Sequence, residues 1–407
     1  MKLFQKLLLA PAALGLFAPV VANANESNFR DVTNYSQDQV EVTLDTFKPL
    51  SNKNPLLAGG EGSNHSHSSS SNDFDVDSFN STTTAAFTTN LALGNVEGST
   101  QENLGMNYDY EIALSSSFTG SDSLDVVLNA GVSKVMPELD MTNTSGVLEI
   151  DSISYTASLG DRVTAFVAQG GGAAGSSLYN TACVYGAQAD TFSDCGVSAA
   201  NIDASLGTAL GANFDIGKGF SASIAYEGEG MTTDGFLSKE ALDAHGAQVS
   251  YLSDTYGVSL SWANIEKHIG YFVNGGNENG GHDLVARDIS VAVNAFYAPD
   301  IDNFPSISAG LETTKLDHSL TVDSTNDETS HYFVGLQWDD FGNGVLGAAM
   351  GSKEPYAKNA DSQTMYEVFY SYNYADGITI TPLLYSKDNT GSTADETGLI
   401  VKTTFSF

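Results

Sequence analysis

The sequence predicts an all-β chain, a transmembrane antiparallel β-barrel of about sixteen strands, and three observations carry that prediction. The first is the closing stretch GLIVKTTFSF, in which Leu399, Val401, Thr403, Phe405 and Phe407 share one face and Ile400, Lys402, Thr404 and Ser406 the other. A period of two is a β-strand. The second is that this alternation recurs almost without interruption from Ser81 onward. The third is that short turns and long connections alternate along it, as they must where one rim of a barrel is tight and the other carries loops.

The N-terminus reads MKLFQKLLLAPAALGLFAPVVANAN, with Lys2 and Lys6, an apolar run from Leu7 to Val21 and a small-x-small site at Ala22 to Ala24. Residues 1–24 are therefore expected to be a secretory signal peptide. Pro11, Gly15 and Pro19 interrupt the run, and nothing after it approaches the ~18 apolar residues of a spanning helix. In a membrane, a closed barrel is what remains to satisfy the backbone. Residues 25–80 have no sustained period, and their Ser/Asn-rich part around NHSHSSSSND is expected to be a flexible segment rather than a metal site.

The alternation from 81 to 407 resolves into strands in order. Phe87, Leu91 and Leu93 mark the first, and Met106, Tyr108, Tyr110, Ile112 and Leu114 the second, opposite Asn107, Asp109 and Glu111. Leu124, Val126 and Leu128 mark the third, Ile153 and Tyr155 the fourth, and Val163 and Val167 the fifth. Strands six to nine run near 206–217, 219–228, 246–253 and 256–264, with Leu260 and Trp262 dating the last face. Strand ten holds Ile289, Val291 and Val293; eleven Ile307 and Leu311; twelve Tyr332, Val334 and Trp338. Strand thirteen is Gly/Ala-rich around Leu346, fourteen holds Tyr366 to Tyr374, fifteen Ile378 to Leu384, and sixteen is the closing stretch. Gly, Asp and Ser turn chemistry bounds each. Short turns such as TGSDS, LGDR, IGKG and ADG follow even strands, which puts both ends of the barrel on one rim.

The longest connection, roughly 171 to 205, is the third on the long side and holds Cys183 and Cys195. An exported chain permits a disulfide between them. A barrel of this size is too wide to fill with its own side chains, so this loop is expected to fold into the lumen, with Gly170 to Ala174 as its hinge.

By the alternation, Asp109, Glu111, Asp125, Asp215, Glu227, Asp288, Glu312 and Glu367 point inward, against Lys387 and Lys402. An electronegative lumen that favours cations is the expectation. Charged residues are 16% of the chain, with 50 acidic against 16 basic and a formal charge of −34. That argues against nucleic acid and anionic lipid as partners, since both need a cationic surface. No GxSxG elbow is present and the seven histidines fall mostly in the linker or loops, with His331 expected to be interfacial; the chain is read as no enzyme, and no cofactor is implied. Tyr110, Trp262, Tyr297, Trp338 and Tyr374, near strand ends, are expected in the aromatic girdles, and Phe405 and Phe407 as the assembly signal read by barrel-assembly machinery. A non-conducting barrel with a structural or adhesive role is the competing class.

The stretches STTTAAFTTNLALG, SSSFTGSDSLDVVLNAG, YNTACVYG with its following DCG, SISAGLE, HYFVGLQWDD, YSYNYADGITITPLLYSKD and TGLIVKTTFSF resemble the cyanobacterial outer-membrane porins, the group often labelled iron-uptake or carbohydrate-selective. The resemblance spans about 81 to 407. It implies a passive outer-membrane channel for small solutes and inorganic ions, assembled as a homotrimer. The surface-layer-homology domain and coiled coil usual in that group have no counterpart in residues 25–80, which lack heptads.

Overall fold

The structure, a computed structural model, describes residues 83–99, 102–170, 174–197, 200–202, 206–229, 237, 241–268, 285–316, 326–355, 357–358, 360–389 and 394–407. The expected signal peptide and the segment 25–80 lie outside these. The strands are β1 Thr83–Glu97, β2 Gly105–Ser116, β3 Asp122–Val132, β4 Glu149–Ser158, β5 Val163–Gly170, β6 Thr208–Gly217, β7 Phe220–Gly228 and β8 Asp243–Leu252. They continue as β9 Tyr256–His268, β10 Val285–Tyr297, β11 Ser306–Lys315, β12 Glu328–Trp338, β13 Gly344–Lys353, β14 Gln363–Ala375, β15 Ile378–Lys387 and β16 Glu396–Ser406. Each pairs antiparallel with its neighbours in sequence, and β1 pairs with β16, so the sheet closes. Among the described residues no helix is long and apolar enough to cross a membrane.

Closure is made by the first and last strands in register, Leu91 opposite Thr403 and Leu93 opposite Val401. Phe87 and Phe407 exchange both main-chain hydrogen bonds (2.9 and 3.0 Å) and stack their rings at 5.4 Å. The turn after β2 shows why Asp and Ser sit there. The Asp122 carboxylate accepts from the Phe118 and Thr119 amides and the Ser117 hydroxyl, so the turn holds itself without the rest of the fold.

The outward face carries Leu93, Met106, Ile224, Val249, Leu260, Val291, Leu311 and Leu399, each exposed although apolar. Exposed apolar side chains recurring around the barrel are the surface of a protein whose solvent is lipid. The opposite, inner face is polar in β7 to β11 and is mostly buried. Tyr110 and Trp262 stand on the outward face in mid-strand rather than near strand ends: Tyr110 is central in Gly105–Ser116, and β9 continues past Trp262 to His268.

Candidate functional site: the lumen and its loop

What buries the inner face is the connection from β5 to β6. Its described part, 174–197, 200–202 and 206–207, contains short 3-10 segments at Gly175–Leu178 and Asp190–Gly196 and donates its main-chain amides to one inner side chain after another. Gly175 N–H bonds the Glu227 carboxylate on β7 (2.6 Å), Asn180 the Gln248 carbonyl on β8 (2.7 Å), and Ala182 the Ser259 hydroxyl on β9 (3.0 Å). Val184 bonds Ser308 on β11 (3.0 Å), Gly186 bonds Gln337 on β12 (2.8 Å), and Ala189 bonds Glu367 on β14 (2.6 Å). Returning, Ala200 bonds Glu312 on β11 (2.7 Å). A single segment reaches strands from β7 to β14 of a closed barrel only across the inside. The hydroxyls and carboxylates are what make that crossing tolerable, since a backbone group buried without a partner costs about 1–3 kcal/mol.

The loop's far end is held by an apolar cluster. Tyr185, Phe192 and the cystine meet Phe333 of β12, Met365 and Phe369 of β14, Leu383 and Tyr385 of β15 and Ile400 of β16. The connection after β3 joins the same cluster through Met136, Leu139 and Met141. Gly335 and Gly351 make room on the wall: a Cβ on Gly335 would lie 2.7 Å from Tyr185, and one on Gly351 2.8 Å from Phe192. The Tyr185 hydroxyl donates to Glu367 (2.8 Å), and burial together with that carboxylate holds the phenol well above its ordinary value, so it remains a donor. Cys183 and Cys195 are bonded, Cα to Cα 6.1 Å, across the turn that carries Phe192. Replacing both by serine should leave the barrel's thermal transition in place and make residues 183–195 open to limited proteolysis, since a closed loop of this length is worth about 3 kcal/mol.

These contacts sort the inward residues expected from the alternation. Glu227, Glu312 and Glu367 are at most 1% exposed and serve as acceptors for the loop rather than as wet lining. Asp288 is likewise covered, among Ser290 and Asn294 of β10. Asp109 is buried between Asn90, which donates to it at 2.8 Å, and the Thr142 amide of the connection after β3 (3.2 Å). Asp215 differs from expectation: it sits at the short-turn rim, where β6 bulges, and accepts from the Gly217 amide (2.8 Å). Lys387 pairs with the buried Glu138 at 2.5 Å, and Lys402 lies within electrostatic reach of Asp109 and Glu367. His331 is not interfacial but inward, its Nδ1 3.4 Å from Glu312.

Open inner wall remains on the other side, along β2, β3 and β4 and the turn-side halves of β16 and β1. Here Glu111 is exposed and Asp125, Asn129, Ser154, Asn90 and Thr404 are half-buried. Asp151, which the alternation did not assign, joins them at the β3–β4 bulge, where Asn129 donates to it at 2.9 Å. The charges of Asp151 and Asp109 act on Glu111. Among the described residues no lysine or arginine stands on the inner faces of β2, β3 or β4. The same residues include no group of three or more His, Cys, Asp or Glu placed to hold a metal.

A closed sixteen-stranded barrel, apolar outside and polar inside, with tight turns on one rim and long connections on the other, has the architecture of the outer-membrane porins. The chain is similar in structure to OprB of Pseudomonas putida, with a TM-score of 0.57 and 11% identity, covering 81% of this chain and 96% of that one. It is also similar to the outer-membrane protein OmpT of Vibrio cholerae lacking loop L8 (0.57, 11%, 80% and 99%). A third is the anion-selective porin from Comamonas acidovorans (0.55, 13%, 80% and 99%). At such identities the likeness is one of fold. No protein-family model matches the sequence, and no curated protein matches it.

Proposed function

We propose that this chain is an outer-membrane porin, a non-enzymatic channel through which small solutes and inorganic ions diffuse passively, with cations preferred. The observation that carries the reading is the open inner wall: Glu111, Asp125 and Asp151 face the unfilled side of the lumen with no cationic side chain on β2 to β4 to offset them. A water-filled polar path removes the solvation barrier of the bilayer, and carboxylates close to it raise the local concentration of cations. The loop from β5 to β6 sets the width by filling the β7–β15 side.

On the segment resemblances we place the chain with the cyanobacterial porins, exported by residues 1–24, inserted by the barrel-assembly machinery into outer-membrane lipid and working as a homotrimer. We treat iron uptake and carbohydrate selection as labels of that group and assign neither solute. The acidic wall gives it the opposite preference to the anion-selective porin from Comamonas acidovorans.

Liposome swelling with neutral solutes of graded size is the test. Entry of glycerol and pentoses with a cut-off at larger sugars is the expected result. Liposomes that stay tight to every solute would favour the competing class, a structural or adhesive barrel, for which the filled half of the lumen is the one supporting observation.

A further inference from the structure

On the long-loop side, the tip of the β5–β6 connection stands off the wall and leaves a cleft of 370 Å³ between itself and β12 to β15. Its wall side carries three donors in register and a fourth offset by two residues. His331 lies opposite Lys353, Lys353 opposite Gln363, and Lys387 follows on β15 opposite Met365. With strands 4.7–4.9 Å apart, the three in register span about 10 Å, and Lys387 stands one strand further and about 7 Å along. The floor is apolar, made by Phe192 and Met365, both buried. Asp190 and Ser193 form the loop side.

We propose that this cleft binds a small organic carboxylate. Two of the three basic groups are already engaged, Lys387 by Glu138 and His331 by Glu312. Lys353 has no ion pair among the described residues, although the chain carries 50 acidic groups against 16 basic ones. A ligand that only accepts hydrogen bonds completes Lys353 and Gln363, and charge-assisted bonds to an ammonium are the stronger kind. The two acids that also line the cleft, Asp190 and Glu138, turn the carboxylate away from themselves and toward Lys353 and Gln363. The apolar floor favours a short carbon stem over a bare inorganic anion, as small-molecule sites with an apolar body and few polar groups do. The proposal rests on the channel reading for how the solute travels, and not for its binding.

The test is equilibrium dialysis of succinate against the full chain in detergent at about 0.3 M salt, where repulsion by distant charges is screened beyond roughly 3–10 Å. Saturable binding is expected, weakened roughly tenfold by Lys353→Gln, the loss of one charge-assisted bond. Lys358→Gln, on an exposed turn outside the cleft, should leave it unchanged. If Lys353→Gln fails to fold, Gln363→Leu should weaken binding in its place. No saturable binding, equal losses in the Lys353 and Lys358 variants, or displacement by phosphate as strong as by succinate would each overturn the site. Conductance of the same preparation reports separately: a barrel that binds succinate but stays closed defeats the channel and leaves the site.

Discussion

Replacing Glu227 and Glu367 together by alanine is expected to widen the channel and make its current noisy, while the barrel still closes. Glu367 accepts from Tyr185 Oη, Ala189 N–H (2.6 Å) and Gln188 N–H (3.2 Å), and Glu227 from Gly175 N–H (2.6 Å). Each bond to a charged acceptor is worth about 1.5–3 kcal/mol, so the pair of substitutions removes several kcal/mol from the loop's attachment. The sheet loses no main-chain bond. The readouts are the size cut-off in swelling assays and the open-channel conductance, both of which should rise. Glutamine at the same positions keeps one acceptor and should give the smaller effect. Unchanged cut-off and conductance in the double alanine variant would show that the loop is held by its apolar cluster alone.

Neutralising the open wall should act on selection instead of size. In the triple variant Glu111→Gln, Asp125→Asn, Asp151→Asn, the reversal potential in a salt gradient is expected to move to near zero with conductance little altered. A carboxylate 4 Å from a passing ion contributes about 1 kcal/mol in water, roughly fivefold in partitioning, and a Debye length of about 10 Å at 0.1 M confines the effect to groups near the path. Asp288 and Glu312 are both buried, so Asp288→Asn and Glu312→Gln should shift the reversal potential less. Equal shifts from the two sets would mean that selection follows total charge and not the open wall.

Much of the fold was legible because lipid imposes the period of two. An outward side chain that is not apolar is expensive, so Leu, Val and aromatic residues mark every second position and the strands can be counted. The turns were legible for a local reason, shown by Asp122, which bonds its own turn. The course of the loop was not. Ser259, Ser308, Glu312 and Glu367 are polar inward residues whether they face water or a loop amide, and alternation alone treats both alike.

One signal did exist. In β14, β15 and β16 the inner face is apolar in part, with Met365, Phe369, Leu383, Tyr385 and Ile400 beside Glu367, Thr381 and Lys402, so that VFY, PLLY and LIV lose their contrast between faces. A stretch that is apolar on both sides must bury the inner one, and the glycines of β13 mark where a ring arrives. Read that way, the sequence would have placed the filled side of the lumen on β12–β16. Asp151 escaped notice because the bulge between Val127 and Leu128 shifts the pairing, and alternation cannot foresee an extra residue.

The account centres on a water path that runs on one side of the lumen and is acidic. Single cysteines at Ser154, on the open wall, and at Ser259, under the Ala182 amide, place that claim under one measurement: the rate at which cationic and anionic methanethiosulfonates change the current through channels in planar bilayers. The account predicts fast modification at 154, faster by the cationic reagent, and none at 259 while the loop is intact. Equal rates at the two positions, or faster reaction of the anionic reagent at 154, would contradict it.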